Sequence, residues 1–258
     1  MSIIQEQKEL MRVKAGEDKL VFVEEILDGT VVLEAGAKLT YVFLGLKGWE
    51  EMRKLKFEFM GSDSELSFLG FIVGSGKEQF PFETISGHRV PQTKGHFYLK
   101  AAMYGESNMD YTGTLVIDKS GPLADVYLES KTLLLSERAR AKSVPALEIE
   151  ADDVVAGHAA TIGKIDKELL FYLKSRGISA EEAEKMLIGG FFESQLEMIA
   201  DEQMREDVRR KIIDALPFER MHDETLGTGE IKIYATLFTF WFYSVFCWFS
   251  LISLQCGN

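Results

Sequence analysis

Between residues 20 and 155 the chain repeats one pattern: a short apolar segment, a break rich in Gly and Asp, then another segment. The segments fall at 20–23, 30–33, 39–44, 55–59, 66–73, 97–103, 111–117, 124–128, 133–135, 146–149 and 154–155. Most are too short for ordinary helices. A spacing of about ten residues with turn signals between segments fits a β-sandwich or a β-solenoid. The breaks lack Asn-Gly hairpin turns, which favours the solenoid.

After Ile165 the period changes to that of a helix. Asp166 suits an N-cap, Leu169, Tyr172 and Leu173 share a face, and Gly177 suits a left-handed stop. Ser179-Ala180-Glu181-Glu182 reads as a capping box opening a second helix, whose buried face is expected to be Ala183, Met186, Leu187, Gly190 and Phe191. A third helix is expected over 201–215, with Met204, Val208 and Ile212 in phase and Pro217 after its end. Ile3, Ile4, Gln7, Leu10 and Met11 are roughly in helical phase and predict a short N-terminal helix. The expected division is therefore a short helix in 1–19, a β body over 20–165, a helical segment over 166–217 and an apolar tail over 218–258.

A formal net charge of −12 excludes nucleic-acid binding by phosphate neutralisation. Both cysteines, Cys247 and Cys256, lie in the tail, so residues 1–246 offer neither a disulfide nor a thiolate metal site. The first twenty residues are charged and lack an apolar signal core, which reads as cytoplasmic. From 233 to 254 no residue is charged and aromatics abound. That run is long enough for one membrane span; the other readings are a run foreign to the body or one packed on it.

His158 lies in the small-residue string Ala156-Gly157-His158-Ala159-Ala160-Thr161, read as a turn between the β body and the helices. Neutral imidazole is a good iron or zinc ligand. The competing role is a structural histidine hydrogen-bonded within the turn. The string has no Cys, Asp or Glu beside it, so a complete metal site in one chain is not expected. Gly74-Ser75-Gly76-Lys77 lacks the first glycine of a phosphate loop and is followed by Glu78, so it reads as a β-turn. His88 and His96 read as structural, Asp152 and Asp153 as a solvated turn pair. Arg138, Arg140 and Lys142 read as one solvated face of an extended segment. A polysaccharide-acting solenoid would need clustered carboxylates on one face, and none is evident.

The strings LLLSERARAKSVPALEIEADDV, GHAATIGKID, LLFYLKSRGIS and EEAEKMLIGGF, with His88-Arg89-Val90-Pro91-Gln92-Thr93 and Tyr111-Thr112-Gly113-Thr114-Leu115-Val116 upstream, resemble the SufB/SufD family. The resemblance covers roughly 85–216 and several motifs occur in order. It implies a right-handed parallel β-helix followed by a small α-helical subdomain, in a non-enzymatic component of SUF iron–sulfur cluster assembly. It implies pairing through the β-helix with a SufB-like subunit or a second copy. It also implies docking of a SufC-type ATPase on the helical segment that carries Phe171, Tyr172, Arg176 and Phe191. A cluster would form transiently at a subunit interface, with no cofactor in the isolated chain. The SufB-type cysteine falls on Ser130, a cysteine frequent in SufD-like chains falls on Ala156, and the SufB-type glutamate falls on Ala159. The SufD-type histidine is kept as His158, so the resemblance implies a SufD-like chain or a divergent minimal relative of the family.

Overall fold

The computed structural model describes residues 8–217; the apolar run 233–254 and residues 1–7 of the expected N-terminal helix lie outside the described residues. The strands are β1 (Glu9–Val13), β2 (Asp18–Val23), β3 (Gly29–Leu33), β4 (Lys38–Gly45), β5 (Arg53–Phe59) and β6 (Glu65–Gly74). They continue as β7 (Gln79–His88), β8 (Lys94–Met103), β9 (Asn108–Ile117), β10 (Asp125–Leu134), β11 (Arg140–Ile149) and β12 (Val155–Gly163). Odd-numbered strands form one six-stranded sheet and even-numbered strands the other, each in sequence order. Neighbours within each sheet are parallel. This is a parallel β-solenoid whose ends are edge strands, β1 and β2 at one end, β11 and β12 at the other.

Alternate side chains enter the space between the sheets, and like residues stack coil upon coil. Tyr41, Phe68 and Phe97 occupy one inner column. Tyr41 and Phe68 stack at 5.9 Å, Phe68 and Phe97 at 5.5 Å. Phe57 reaches across from the other sheet and meets all three edge-on, at 5.6, 6.0 and 5.6 Å. Such offset and edge-on contacts suit the ring quadrupoles and add to burial.

The turn before each even strand from β4 to β12 also repeats. Gly36, Asp63, Gln92, Leu123 and Asp153 all have positive φ, from 56° to 64°. Each turn hydrogen-bonds to the turn of the next coil: Gly36 N–H to Ser62 O, Asp63 N–H to Gln92 O, Gln92 N–H to Pro122 O and Leu123 N–H to Asp153 O. Glycine takes this conformation freely; Leu123, at φ 61° and 52% exposed, does so against its Cβ.

Residues 9–13 form β1, paired with β3, where a helix was expected. Leu10 and Met11 pack on the core from an extended backbone. β7, which sequence reading passed over, is a central strand between β5 and β9. The segment 133–135 is no separate strand: Leu133 and Leu134 end β10.

The three helices are α1 (Lys167–Ser175), α2 (Ala180–Leu196) and α3 (Glu202–Ala215). Asp166 caps α1, accepting from the Glu168 and Leu169 N–H groups, and Gly177 follows at φ 87°. Ser179 and Glu182 form the expected capping box. The buried face of α2 is Ala183, Ile188, Phe192, Gln195 and Leu196, rotated from the expected one, and Met186 is exposed. The rotation follows from Phe192, which packs against Phe71, and from Gln195, whose Nε2 donates to the Gly70 and Tyr98 carbonyls. Leu69, Phe71 and Val73 face outward yet are buried. A sheet covered on both faces reads as a continuous apolar run, as in residues 68–73.

Candidate functional site at the open end of the solenoid

His158 is not in a turn. It lies inside β12, and Ala156 to Thr161 are all strand residues paired with β10. The turn reading took small residues for a break, but none of these residues has positive φ. The ladder on β10 satisfies half of the backbone groups, so short side chains here make a flat edge strand.

The inner column gives the geometry. Tyr41, Phe68, Phe97 and Leu128 hold one inner position in successive coils, and His158 holds the next. The first four are at most 5% exposed. His158 is exposed, with no further coil over it among the described residues. Ala156, Ala160 and Ile162 share its inner row on β12; Ala141, Ser143, Pro145, Leu147 and Ile149 form the facing row on β11. Ile162 and Ile149 are 42% and 43% exposed. The end of the solenoid is therefore a mainly apolar face that holds one imidazole and the Ser143 hydroxyl.

The backbone is also presented. The Val155 N–H bonds the Ala124 carbonyl. Alternation then turns the even-numbered residues of β12, His158 included, toward the free edge. An edge strand with unpaired N–H and C=O groups is a template for another chain.

The other positions singled out by the resemblance fall elsewhere. Ser130 is fully buried on the inner face of β10, beneath Ala160, and its hydroxyl has no hydrogen-bond partner. The Thr132 and Ser143 hydroxyls are likewise buried and unpartnered. Ala156 is on the inner row with His158, whereas Ala159 faces the outside of the sheet. A carboxylate at 159 would point away from the imidazole.

His88 and His96 do not approach the site. His88 is wholly buried on β7, stacked on Phe59 at 4.2 Å. Its Nε2 meets Ser86 Oγ and its Nδ1 meets Thr93 Oγ1, each at 2.8 Å. Burial pulls its pKa down to about 3, so the ring is neutral. Gly95 sits against it, where a Cβ would stand 2.8 Å from the ring. His96, on the outside of the other sheet, reaches Asp125 at 3.2 Å. Gly74-Ser75-Gly76-Lys77 forms a turn closed by Glu78 N–H to Ser75 O, with Glu78 accepting from the Ser75 N–H. Among the described residues no group of three or more His, Cys, Asp or Glu side chains is placed to hold a metal.

The helical residues divide. α1 buries no residue fully, and Phe171 is 73% exposed. Tyr172 is 44% exposed, with the Arg176 guanidinium 5.1 Å from its ring centre. Phe191, on α2, is half-buried against Phe192, with the Lys100 ammonium 5.1 Å from its ring centre. Lys100 is a contact that sequence reading missed. It donates to the Phe191 carbonyl and, at 2.7 Å, to Ser194 Oγ. Burial, with Lys131 nearby, lowers its pKa to about 8. A lone lysine inside the apolar run 97–103 is the signal that could have found it. Among the described residues no helix is long and apolar enough to cross a membrane.

The described residues thus form a parallel β-solenoid with three helices after it, and its last strand carries His158 on the inner row. The family described as "SUF system FeS cluster assembly, SufBD core domain" matches residues 23–191, and the chain belongs to that family. A SufBD family iron–sulfur cluster assembly protein of Mycobacterium leprae is 33% identical over 183 residues, 68% of this chain and 45% of the relative. The iron–sulfur cluster assembly protein SufD of Bacillus subtilis is 34% identical over 145 residues, 56% of this chain and 32% of the relative. SufD of Escherichia coli is 36% identical over 107 residues, 42% of this chain and 25% of the relative. The chain thus spans half or less of the length of these curated relatives.

Proposed function

We propose that this chain is a non-enzymatic, SufD-like component of SUF iron–sulfur cluster assembly. It pairs through the open end of its β-helix with a SufB-like subunit, and a SufC-type ATPase docks on its helical segment. The cluster is cargo at the pairing interface. The observation that carries this reading is His158: one imidazole on the inner row of an edge strand whose other inner residues are Ala156, Ala160 and Ile162. Clusters are held mainly by thiolates, with histidine substituting occasionally. Residues 1–246 supply no thiol, so His158 is one ligand or proton carrier among groups the partner brings. The Phe171 and Tyr172 side chains on α1 and Arg176 at its C-cap supply an exposed aromatic and cationic surface for the ATPase, while Phe191 holds α2 to the sheet. The work is in the cytoplasm.

The test is reconstitution with a SufB-like and a SufC-type protein. The chain alone is expected to retain no cluster. His158→Ala should leave melting and pairing unchanged, because an exposed edge side chain carries little packing energy, and should lower cluster formation in the complex. Normal cluster formation by His158→Ala, with pairing intact, refutes the role. Phe171→Ala combined with Tyr172→Ala should weaken ATPase capture and spare pairing.

A further inference from the structure

Lys100 is a cation covered by a helix. It stands on the outer face of β8 and is 6% exposed. α2 lies over it: the ammonium donates to the Phe191 carbonyl and to Ser194 Oγ, and sits 5.1 Å from the centre of the Phe191 ring. All three contacts are to α2 and none is to a carboxylate. Lys100 forms no ion pair among the described residues. The groups around it make the position costly. On β10, its ladder partner is Lys131, a second positive charge on the same face. Glu129, also on β10, is taken up by Lys131 at 2.9 Å, and Glu193, on α2, by Arg209 of α3. On β6 the ladder partner is Phe71, buried and apolar. Burial first, then Lys131, pull the lysine pKa down to about 8, against smaller opposing pulls from Glu129 and Glu193. A buried cation without a carboxylate partner costs free energy that its hydrogen bonds only partly offset.

The second polar contact beneath α2 is also a hydrogen bond without an ion pair. Gln195, 3% exposed, donates to the Gly70 and Tyr98 carbonyls. Bonds of this kind exchange with bonds to water when a helix lifts, so they hold it only weakly. The buried apolar residues of α2 are Ala183, Ile188, Phe192 and Leu196. α1 packs on α2 and buries no residue fully, so it follows wherever α2 goes.

We propose that the seam between α2 and the outer face of β8 is a release joint: the unpaired Lys100 cation lowers the cost of lifting α2, and α1 with it, from the sheet. The docked and lifted helices are then two states whose balance a protein bound to α1 can shift. Only the identity of that driving protein rests on the docking role proposed for α1. The joint itself is read on the chain without a partner. The sign of the charge effect follows from the pKa, which is lower in the docked state than the ordinary 10.5. The cost of the buried cation is therefore full below pH 8 and fades as pH rises from 8 toward 10.5.

Native-state hydrogen exchange of the full chain, read on the α2 amides, tests this. Lys100→Met keeps an unbranched stem without the charge and should raise α2 protection on the order of tenfold. Losing a useful tether would lower it. Lys131→Gln removes the neighbouring like charge and should raise protection by a smaller factor. Between pH 7 and pH 9, protection corrected for intrinsic exchange should rise in the wild type relative to Lys100→Met, since other titrations are common to both. Unchanged protection of β6 and β8 shows that a variant is folded. Protection that falls or stays level in Lys100→Met, a wild type that gains nothing over it with pH, or a Lys100→Met chain that cannot fold each overturns the proposal. Capture of a SufC-type ATPase is scored separately: its absence refutes the docking role and leaves the joint standing.

Discussion

His88 should make the fold acid-sensitive in a way one substitution removes. The ring is fully buried, stacked on Phe59 and bonded by Ser86 and Thr93, and its pKa drops to about 3 from an ordinary 6.5. The unfolded chain therefore takes up this proton at higher pH than the folded one. The stability supplied by the neutral ring is complete above pH 6.5 and drains as pH falls toward 3, at about 1.4 kcal/mol per pH unit. Between pH 7 and pH 5 the loss comes to about 2 kcal/mol. His88→Gln keeps a polar amide that does not titrate. At pH 7 it should be less stable by roughly 1–3 kcal/mol, from two altered hydrogen bonds and a lost ring contact. The difference between wild type and variant should then shrink by about 2 kcal/mol at pH 5, while other titrations are common to both and cancel. Urea unfolding followed by far-UV circular dichroism at the two pH values measures this. A difference that holds constant or widens would refute the buried neutral ring.

Two further perturbations probe the coil repeat. Phe57→Ala removes the ring that meets Tyr41, Phe68 and Phe97 and should cost at least about 3 kcal/mol, read as a lower urea midpoint. Leu123→Asn relieves a leucine held at φ 61° with half its surface in solvent; it should raise stability by about 1 kcal/mol, and a lower melting temperature would contradict the strain.

Most strands were legible because their inner rows are uniformly apolar. In β4, β6 and β9 the inward residues announce themselves against polar neighbours or in apolar runs. β7 was not legible. Its inner row is Phe80, Phe82, Thr84, Ser86 and His88, all buried, and its polar half is satisfied by partners distant in sequence or in the next turn, such as Tyr111 for Thr84. Hydropathy alternation cannot report a side chain whose burial depends on such a partner. α2 failed for a related reason: the adjacent Phe191 and Phe192 allow two helical phases, and a buried glutamine decides between them. The caps at Asp166 and Ser179 were legible, because a cap is a local contract between a side chain and the next few N–H groups.

The site was legible as a residue and illegible as a place. His158 stood out because its neighbours are so small, and those neighbours were read as a turn. In a solenoid the same smallness has another cause. Inner positions of a strand are normally filled by residues that the next coil will bury, as Tyr41, Phe68, Phe97 and Leu128 are. Among the described residues no next coil follows β12, so large apolar side chains on its inner row would stand in water, and Ala156 and Ala160 avoid that cost. The exceptions on the two end strands, Ile162, Ile149 and His158, are then the residues whose exposure needs a partner to explain it. An imidazole among them is the only one able to bond a proton or a metal, and it occupies the column that runs through every coil of its sheet from Tyr41 onward. The same small side chains leave the edge backbone accessible, so one local composition both exposes the histidine and opens the strand to the chain that would cover it.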